Sequence, residues 1–233
     1  MKSQKTKKIS DFISILIFTI TVLLFNGSCS KGTNSPDPGK PITGSSTIVY
    51  TDVKPDSVIL KNRTDSFNLD LNNDGIIDFV FNRSTNGGIC GGNDLFGYSY
   101  RYYTNLSVIP ANGNNEIISD GSYALALDAS SAIVSDSLWA TVSQMLINGT
   151  VSTSGRCTGL PPSAGDHWIN VSDKYLGLKF IKDNNTYYGW ARLSSSYSLN
   201  SVPYRHLIIG QLILKDYAYN IIPNQPILAG QTK

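Results

Sequence analysis

Residues 67–81 read FNLDLNNDGIIDFVF, and this segment indicates the fold class most directly. Two sets of apolar residues alternate with polar ones and so share strand faces: Phe67, Leu69 and Leu71, and then Ile77, Phe79 and Phe81. Between them, Asn72-Asn73-Asp74-Gly75 has the composition of a tight turn. The stretch therefore predicts two strands joined by an Asx-rich loop.

The rest of the chain repeats this pattern of short alternating segments separated by turn residues. The further strand candidates are FGYSYRYY (96–103), SYALALD (122–128), YLGLKFI (175–181), YYGWARL (187–193) and HLIIGQLIL (206–214). Turn chemistry separates them at 119–121 and 183–185. Short strands at such intervals predict an all-β single domain, a β-sandwich or jelly roll, with at most one or two short helices.

One segment has helical spacing instead. Its apolar residues recur every three to four positions: Leu138, Trp139, Val142, Met145 and Leu146. Ser135 or Asp136 is the predicted N-cap, and Gly149 follows the predicted end. We therefore expect a short helix here, with Trp139 in the core.

The composition excludes several classes of protein. Of 233 residues only 15% are charged, and Asp supplies 16 of the 17 acidic residues, with Glu116 the one glutamate. Coiled coils and helical repeats need more Glu, Lys and Leu at helical periodicity. A net charge of +2 gives no excess to attract nucleic acid, and the 13 Tyr, 8 Phe and 3 Trp are too many for a disordered chain.

The amino terminus has the features of an export signal. Four lysines precede FISILIFTITVLLF (12–25), an apolar run too short to span a bilayer. Asn26-Gly27-Ser28-Cys29 resembles a bacterial lipobox, so 1–28 is the predicted signal peptide and Cys29 the predicted lipidation site. Ordinary cleavage after Ser30 is the alternative. A Pro/Gly-rich tether (29–46) and a β-sandwich domain (47–233) are expected to follow.

The cysteine count favours lipidation of Cys29. It leaves Cys90 and Cys157 as a pair in an oxidising compartment, where a disulfide is the default expectation. Such a bridge would stabilise by about 4 kcal/mol in the chain-entropy model. Two separate free thiols are the alternative.

The loop in residues 70–78 matches a calcium-loop pattern, D-x-[DN]-x-D-G-x-x-D. The predicted ligands are oxygen donors: the side chains of Asp70, Asn72, Asp74 and Asp78 and the backbone carbonyl of Ile76. Gly75 permits the sharp turn. Hard oxygen donors in this number suit Ca²⁺ better than Mg²⁺.

The flanks of this loop are strand-like, so the loop is not an EF-hand. The twelfth position is Phe81 and not a bidentate Glu, which predicts a weak affinity, with a Kd of about 10⁻⁴–10⁻³ M. A structural role follows, in which the ion neutralises three carboxylates and fixes a hairpin. An Asx-rich hairpin that binds no metal is the alternative.

Catalytic motifs are sparse, and no catalytic residue is assigned. The sequence has neither a GxSxG elbow nor an HExxH motif. His167 or His206 could act with an Asp in a hydrolase, but a structural histidine is the more common role.

An aromatic ladder is the candidate ligand platform. Tyr98, Tyr100 and Tyr102 share one face of a predicted strand and could stack on sugar rings. The alternative is that this face belongs to the sandwich core.

Three blocks of the domain together resemble an uncharacterised family of secreted bacterial proteins with lipoprotein and PEP-CTERM-type members. They are the loop stretch 67–79, then YLGLKF (175–180) leading to YGWAR (188–192), and DYAY (216–219) leading to PILAGQ (226–231). The resemblance implies an extracellular β-rich domain without an established activity.

From these observations we expect a lipoprotein of the bacterial cell envelope, on the outer membrane or cell surface, or else a secreted protein. Its calcium-stabilised domain would be a binding or structural module. The expected partners are the membrane, through the lipid, and a polysaccharide or other cell-surface polymer, without nucleic acid. The alternative is a secreted hydrolase that uses Asp with His167 or His206.

Overall fold

The computed structural model describes residues 46–60, 65–94, 97–152, 167–202 and 205–233. Their strands are β1 (Ile48–Leu60), β2 (Asp65–Leu69), β3 (Phe79–Asp94), β4 (Gly97–Pro110), β5 (Glu116–Ile118), β6 (Ala132–Ile133), β7 (Trp139–Ala140), β8 (Gln144–Ser152), β9 (Lys174–Lys182), β10 (Asn185–Val202), β11 (Arg205–Asn220) and β12 (Ile227–Leu228). Within this described part the chain contains no helix, and 63% of it is strand. The predicted all-β class is confirmed.

The strands form two large antiparallel sheets and one small one. The larger sheet has six strands in the order β1-β11-β10-β9-β5-β7, and the second has four in the order β2-β3-β4-β8. A short pair, β12-β6, is the third. Long hairpins dominate both large sheets, because β3 pairs with β4 and β10 pairs with β11 along most of their lengths.

The main core lies where the two large sheets face each other. The four-stranded sheet contributes Phe79, Phe81, Leu106 and Val108, and the six-stranded sheet contributes Leu176, Leu178, Phe180, Leu193 and Leu214. Each set occupies alternate positions of its strands, so the period-two pattern places one face of each sheet in the core. This is the packing of a β-sandwich.

A second cluster covers the other face of the six-stranded sheet. Tyr188, Trp190 and Ala218 point to this side, and Ile227 and Ala229 of the carboxyl-terminal segment pack on them. The indole of Trp190 also donates to the carbonyl of Gln231 at 3.2 Å. The six-stranded sheet is therefore buried on both faces, which explains why segments such as YYGWARL are almost continuously apolar.

The predicted helix at 138–146 is wrong. Leu138 is 70% exposed and Val142 is 64% exposed, whereas Leu146 is fully buried in the main core, so the five apolar residues do not share one face. Trp139 is half-buried and packs against the second cluster. Trp139 instead belongs to β7, which pairs with β5, and β8 begins at Gln144. Backbone pairing with two existing sheets outweighed a weak local preference for helix.

The predicted caps of that helix have other roles. The hydroxyl of Ser135 donates to the carboxylate of Asp136 at 2.9 Å in an exposed turn. Gly149 lies inside β8, where the ring of Tyr197 occupies the space that a Cβ would need.

The other strand predictions are confirmed except for one. Segments 175–181, 187–193 and 206–214 lie in β9, β10 and β11. Residues 122–128 form only isolated bridges through Tyr123, Ala124 and Leu127.

The predicted signal peptide, and all of the tether except residue 46, lie outside the described residues. Among the residues that are described, none belongs to a helix long and apolar enough to cross a bilayer.

Candidate functional site

The acidic loop, residues 70–78, connects β2 to β3 at one edge of the four-stranded sheet. Its two ends are joined twice. The backbone N–H of Asp78 donates to the carbonyl of Leu69 at 3.0 Å, and the N–H of Leu71 donates to Oδ2 of Asp78 at 2.9 Å. These bonds close the loop at its base, as the two flanking strands require.

Inside the loop, side-chain oxygens turn back onto the backbone. Oδ1 and Oδ2 of Asp70 accept from the N–H groups of Asp74 and Gly75 at 3.1 and 2.7 Å. Oδ1 of Asn72 accepts from Asp74 N–H, and Oδ1 of Asp74 accepts from Ile76 N–H, each at 2.9 Å. The loop is thus shaped by local Asx hydrogen bonds.

Two residues of the loop have left-handed backbone conformations. Asn73 has φ of 58° and Gly75 has φ of +90°. A Cβ at Gly75 would meet no atom within 4 Å, so the backbone angle and not crowding requires glycine there.

Asp78 is the buried anchor of the loop. It is 4% exposed, and Asn115, which is fully buried, donates its Nδ2 to the Asp78 carbonyl at 3.0 Å and to Oδ1 at 3.4 Å. Oδ1 of Asn115 accepts in turn from Ile181 N–H on β9. Burial, with a smaller contribution from the charges of Asp70 and Asp74, raises the pKa of Asp78 to about 6. A cation at the loop would therefore relieve an unfavourable charge.

A lysine already offsets part of the loop's charge. Nζ of Lys182, at the end of β9, lies 2.9 Å from Oδ2 of Asp74. This hydrogen bond lowers the pKa of Asp74 and raises that of Lys182. The Tyr217 hydroxyl also donates to Oδ1 of Asn73 at 3.2 Å. The acidic loop is therefore attached to the six-stranded sheet at two points.

A small cavity of about 150 Å³ adjoins the acidic loop, and we call it the loop pocket. It is lined by Asn72, Phe180, Lys182, Tyr187, Tyr219 and Ile221. The Phe180 ring stacks on Tyr187 at 5.2 Å between centroids and meets Tyr219 edge to face at 5.5 Å. The pocket thus joins an aromatic wall to the polar edge of the loop.

The predicted metal ligands occupy one loop but do not form a finished cage. Across the described ranges, no three His, Cys, Asp or Glu side chains are grouped closely enough to hold an ion between them. The carboxylate of Asp78 faces Leu71 and Asn115 at the base of the loop. The remaining side-chain donors, Asp70, Asn72 and Asp74, are hard oxygens on alternate residues, which is a donor set that fits Ca²⁺.

Of the two candidate catalytic histidines, only His167 has a described side chain. Nε2 of His167 lies 2.9 Å from Oδ2 of Asp120 on the surface. The neighbouring Ser119 hydroxyl donates to Oε1 of Gln144 at 2.5 Å and accepts from Gly121 N–H, so its described partners do not include the histidine. The side chain of His206 lies outside the described residues.

The tyrosine platform is described only at one end. Tyr102 is half-buried and lies on the face of β4 that carries the buried Thr104 and Leu106. The side chains of Tyr98 and Tyr100 lie outside the described residues, as do the Cys90 side chain, Cys157 and Cys29.

Asn115 and Lys182 are two polar site residues that the sequence pattern did not predict. Both are far from the acidic loop in the chain and reach it only through the folding of β5 and β9. Lys182 directly precedes the predicted turn at Asp183-Asn184, but the local sequence does not indicate which part of the domain that turn faces.

Comparisons of the chain with models of protein families, with curated proteins and with solved structures gave no match. The resemblance to secreted bacterial β-rich proteins therefore stays a prediction, and the function is argued from the fold and the site.

Proposed function

We propose that this chain is an exported, lipid-anchored module of the bacterial cell envelope that binds a glycan and is stabilised by Ca²⁺ at the acidic loop. Cys29 would carry the lipid, and the tether would hold the β-sandwich away from the membrane. Asp70, Asn72, Asp74, the carbonyl of Ile76 and Asp78 would hold the ion, with Asp78 acting after side-chain rotation or through water.

The observation that supports this proposal most strongly is the construction of the acidic loop. Three carboxylates lie within nine residues, and burial, with a smaller contribution from the charges of Asp70 and Asp74, raises the pKa of Asp78. Among the described contacts, the only cation that pairs with the loop is Lys182, whose side chain is 44% exposed. A divalent ion would neutralise this cluster far more completely than one exposed ammonium.

The function is tested with the full chain purified in detergent. Binding to a glycan array is measured in Ca²⁺ and in chelator, and Cys29→Ala is compared with wild type for incorporation of a fatty-acid label. Glycan signals that depend on Ca²⁺, together with a label that requires Cys29, are the expected results. An array without signal under both conditions overturns glycan binding, and an unchanged label overturns the anchor.

A hydrolase is the second candidate, because Nε2 of His167 lies 2.9 Å from the Asp120 carboxylate, next to Ser119 in the chain. It predicts release of product from ester or glycoside substrates that His167→Ala abolishes. Equal rates for wild type and His167→Ala would exclude this role of the pair.

A further inference from the structure

We propose that the loop pocket binds one sugar ring that carries a carboxylate, a uronate residue of an acidic polysaccharide, and that it does so cooperatively with Ca²⁺ at the acidic loop. This inference rests on the proposed glycan-binding function, and it places the ligand away from the Tyr98, Tyr100 and Tyr102 ladder.

The size of the loop pocket limits its ligand to one ring. Its volume of about 150 Å³ is well below the roughly 300 Å³ at which sites for drug-sized molecules begin. The pocket lies at the edge of the sandwich, where Ile221 is 43% exposed, so a chain attached to the bound ring can continue into solvent. A terminal or internal residue of a polymer satisfies both conditions.

The lining matches a ligand with one apolar face and many hydroxyl groups. Phe180, 1% exposed, is one of the lining residues, and the half-buried Tyr187 and Tyr219 add aromatic surface and hydroxyl groups. Asn72 and Lys182 bring an amide and an ammonium to the same cavity. A purely apolar ligand would remove water from these polar groups without bonding to them, at a cost in binding free energy.

The charges around the loop pocket select a carboxylate only when the acidic loop is neutralised. Lys182 is the cation of the lining, and Asp74 holds it at 2.9 Å. An ion that recruits the Asp74 carboxylate would release the Lys182 ammonium toward the pocket. The same ion would remove the repulsion that Asp70 and Asp74 exert on an anionic ligand.

The coupling between ion and sugar must be reciprocal. If Ca²⁺ raises the affinity for a uronate by some factor, the uronate raises the affinity for Ca²⁺ by the same factor. A pocket and a loop that share neither Lys182 nor an electrostatic interaction would show no such factor.

The test is an NMR titration of the full chain in detergent with D-glucuronate and with D-glucose, which differ at one carboxylate. Each is titrated in Ca²⁺ and in chelator, and binding of free Ca²⁺ by the sugar is corrected for. We expect glucuronate to bind roughly tenfold more tightly than glucose in Ca²⁺, the effect of one charge-assisted hydrogen bond. Equal affinities for the two sugars would overturn the proposal.

Variants localise the site. Lys182→Gln should reduce the preference for glucuronate roughly tenfold, and Tyr187→Ala should weaken both sugars, by loss of stacking and hydroxyl contacts. Tyr187→Phe removes only the hydroxyl group and keeps the ring packed on Phe180. It therefore tests the same position if Tyr187→Ala does not fold. It should weaken both sugars less than Tyr187→Ala.

Matched controls lie outside the pocket. Lys54, whose side chain is 82% exposed, and Tyr103, which is 40% exposed on β4, can be changed to Gln and Ala. If Lys182→Gln and Tyr187→Phe bind glucuronate as these controls do, the loop pocket is not the site. Ca²⁺-dependent array signals that survive in those two variants would leave glycan binding intact while refuting this pocket. An array without signal would reject the underlying function itself.

Discussion

Adding Ca²⁺ should raise the free energy of unfolding by an amount that the acidic loop determines. Because the loop lacks the bidentate carboxylate at its twelfth position, we expect the Kd for Ca²⁺ of extracellular modules, about 10⁻⁴–10⁻³ M. At about 10 mM Ca²⁺ the gain is therefore about 1.4–2.7 kcal/mol. For a domain of this size the melting temperature should rise by about 3–11 °C relative to chelator.

The stabilisation by Ca²⁺ should depend on pH, because Asp78 binds a proton in the folded state. Burial raises its pKa from the ordinary 3.8 to about 6, so in chelator the folded state binds a proton more tightly than the unfolded state. The stability that this group contributes is then fully present below pH 3.8 and is lost, by about 3 kcal/mol, as the pH rises through 6. Ca²⁺ competes with this proton, so its stabilising effect should be full at pH 7 and should shrink below about pH 6.

The assay is thermal unfolding of the full chain in detergent followed by circular dichroism, with and without Ca²⁺. Asp74→Asn should abolish most of the calcium-induced shift. Asp183→Asn removes an exposed carboxylate from the adjacent β9–β10 turn, where φ is 50° and Asn is tolerated, and should keep the shift. Identical melting in Ca²⁺ and chelator, or an equal loss of the shift in both variants, would refute the metal assignment.

Three further results are expected from positions away from the acidic loop. Arg192→Met should lower the free energy of unfolding in urea by about 3 kcal/mol. The variant leaves the Asp216 carboxylate, 4% exposed, without the guanidinium that it binds at 2.5 and 2.9 Å. A loss under about 1 kcal/mol would contradict this prediction. Partial burial and a hydrogen bond to Asp216 raise the pKa of Tyr50 to about 12. Tyr50→Phe should therefore remove a step near that pH from the absorbance titration of tyrosinate. An unchanged titration curve would contradict the assignment. Gly189→Ala should lower the free energy of unfolding in urea by about 1–3 kcal/mol, because a Cβ there would lie 2.6 Å from a backbone carbonyl oxygen. A Cβ at Gly88 would meet open space, so the control Gly88→Ala should show no such steric loss. Equal effects of the two variants would contradict this packing.

Local patterns predicted the strands well where neighbouring strands supply matching partners. Alternation in 67–81 correctly placed β2, the acidic loop and the start of β3, because side-chain direction in a strand is a property of the strand itself. The same reasoning failed at 138–146, where helical spacing is present but two sheets offered backbone partners. Spacing alone contains no information about those partners.

The candidate site divides in the same way. Asp70, Asn72, Asp74 and Gly75 were predictable, because their hydrogen bonds and backbone angles are made within the loop. The inward turn of Asp78 was not, because it depends on Asn115, a residue 37 positions away.

The all-β class and the acidic, Asx-rich loop follow from the amino-acid sequence, since strand alternation and turn chemistry act over a few residues. Which groups surround that loop depends on how the two large sheets pack. Lys182, Tyr187 and Tyr219 come from three strands that meet the loop only when the sheets pack, and burial then raises the pKa of Asp78. Charge neutralisation and the shape of a pocket depend on distances between remote residues, which only the packed sandwich establishes.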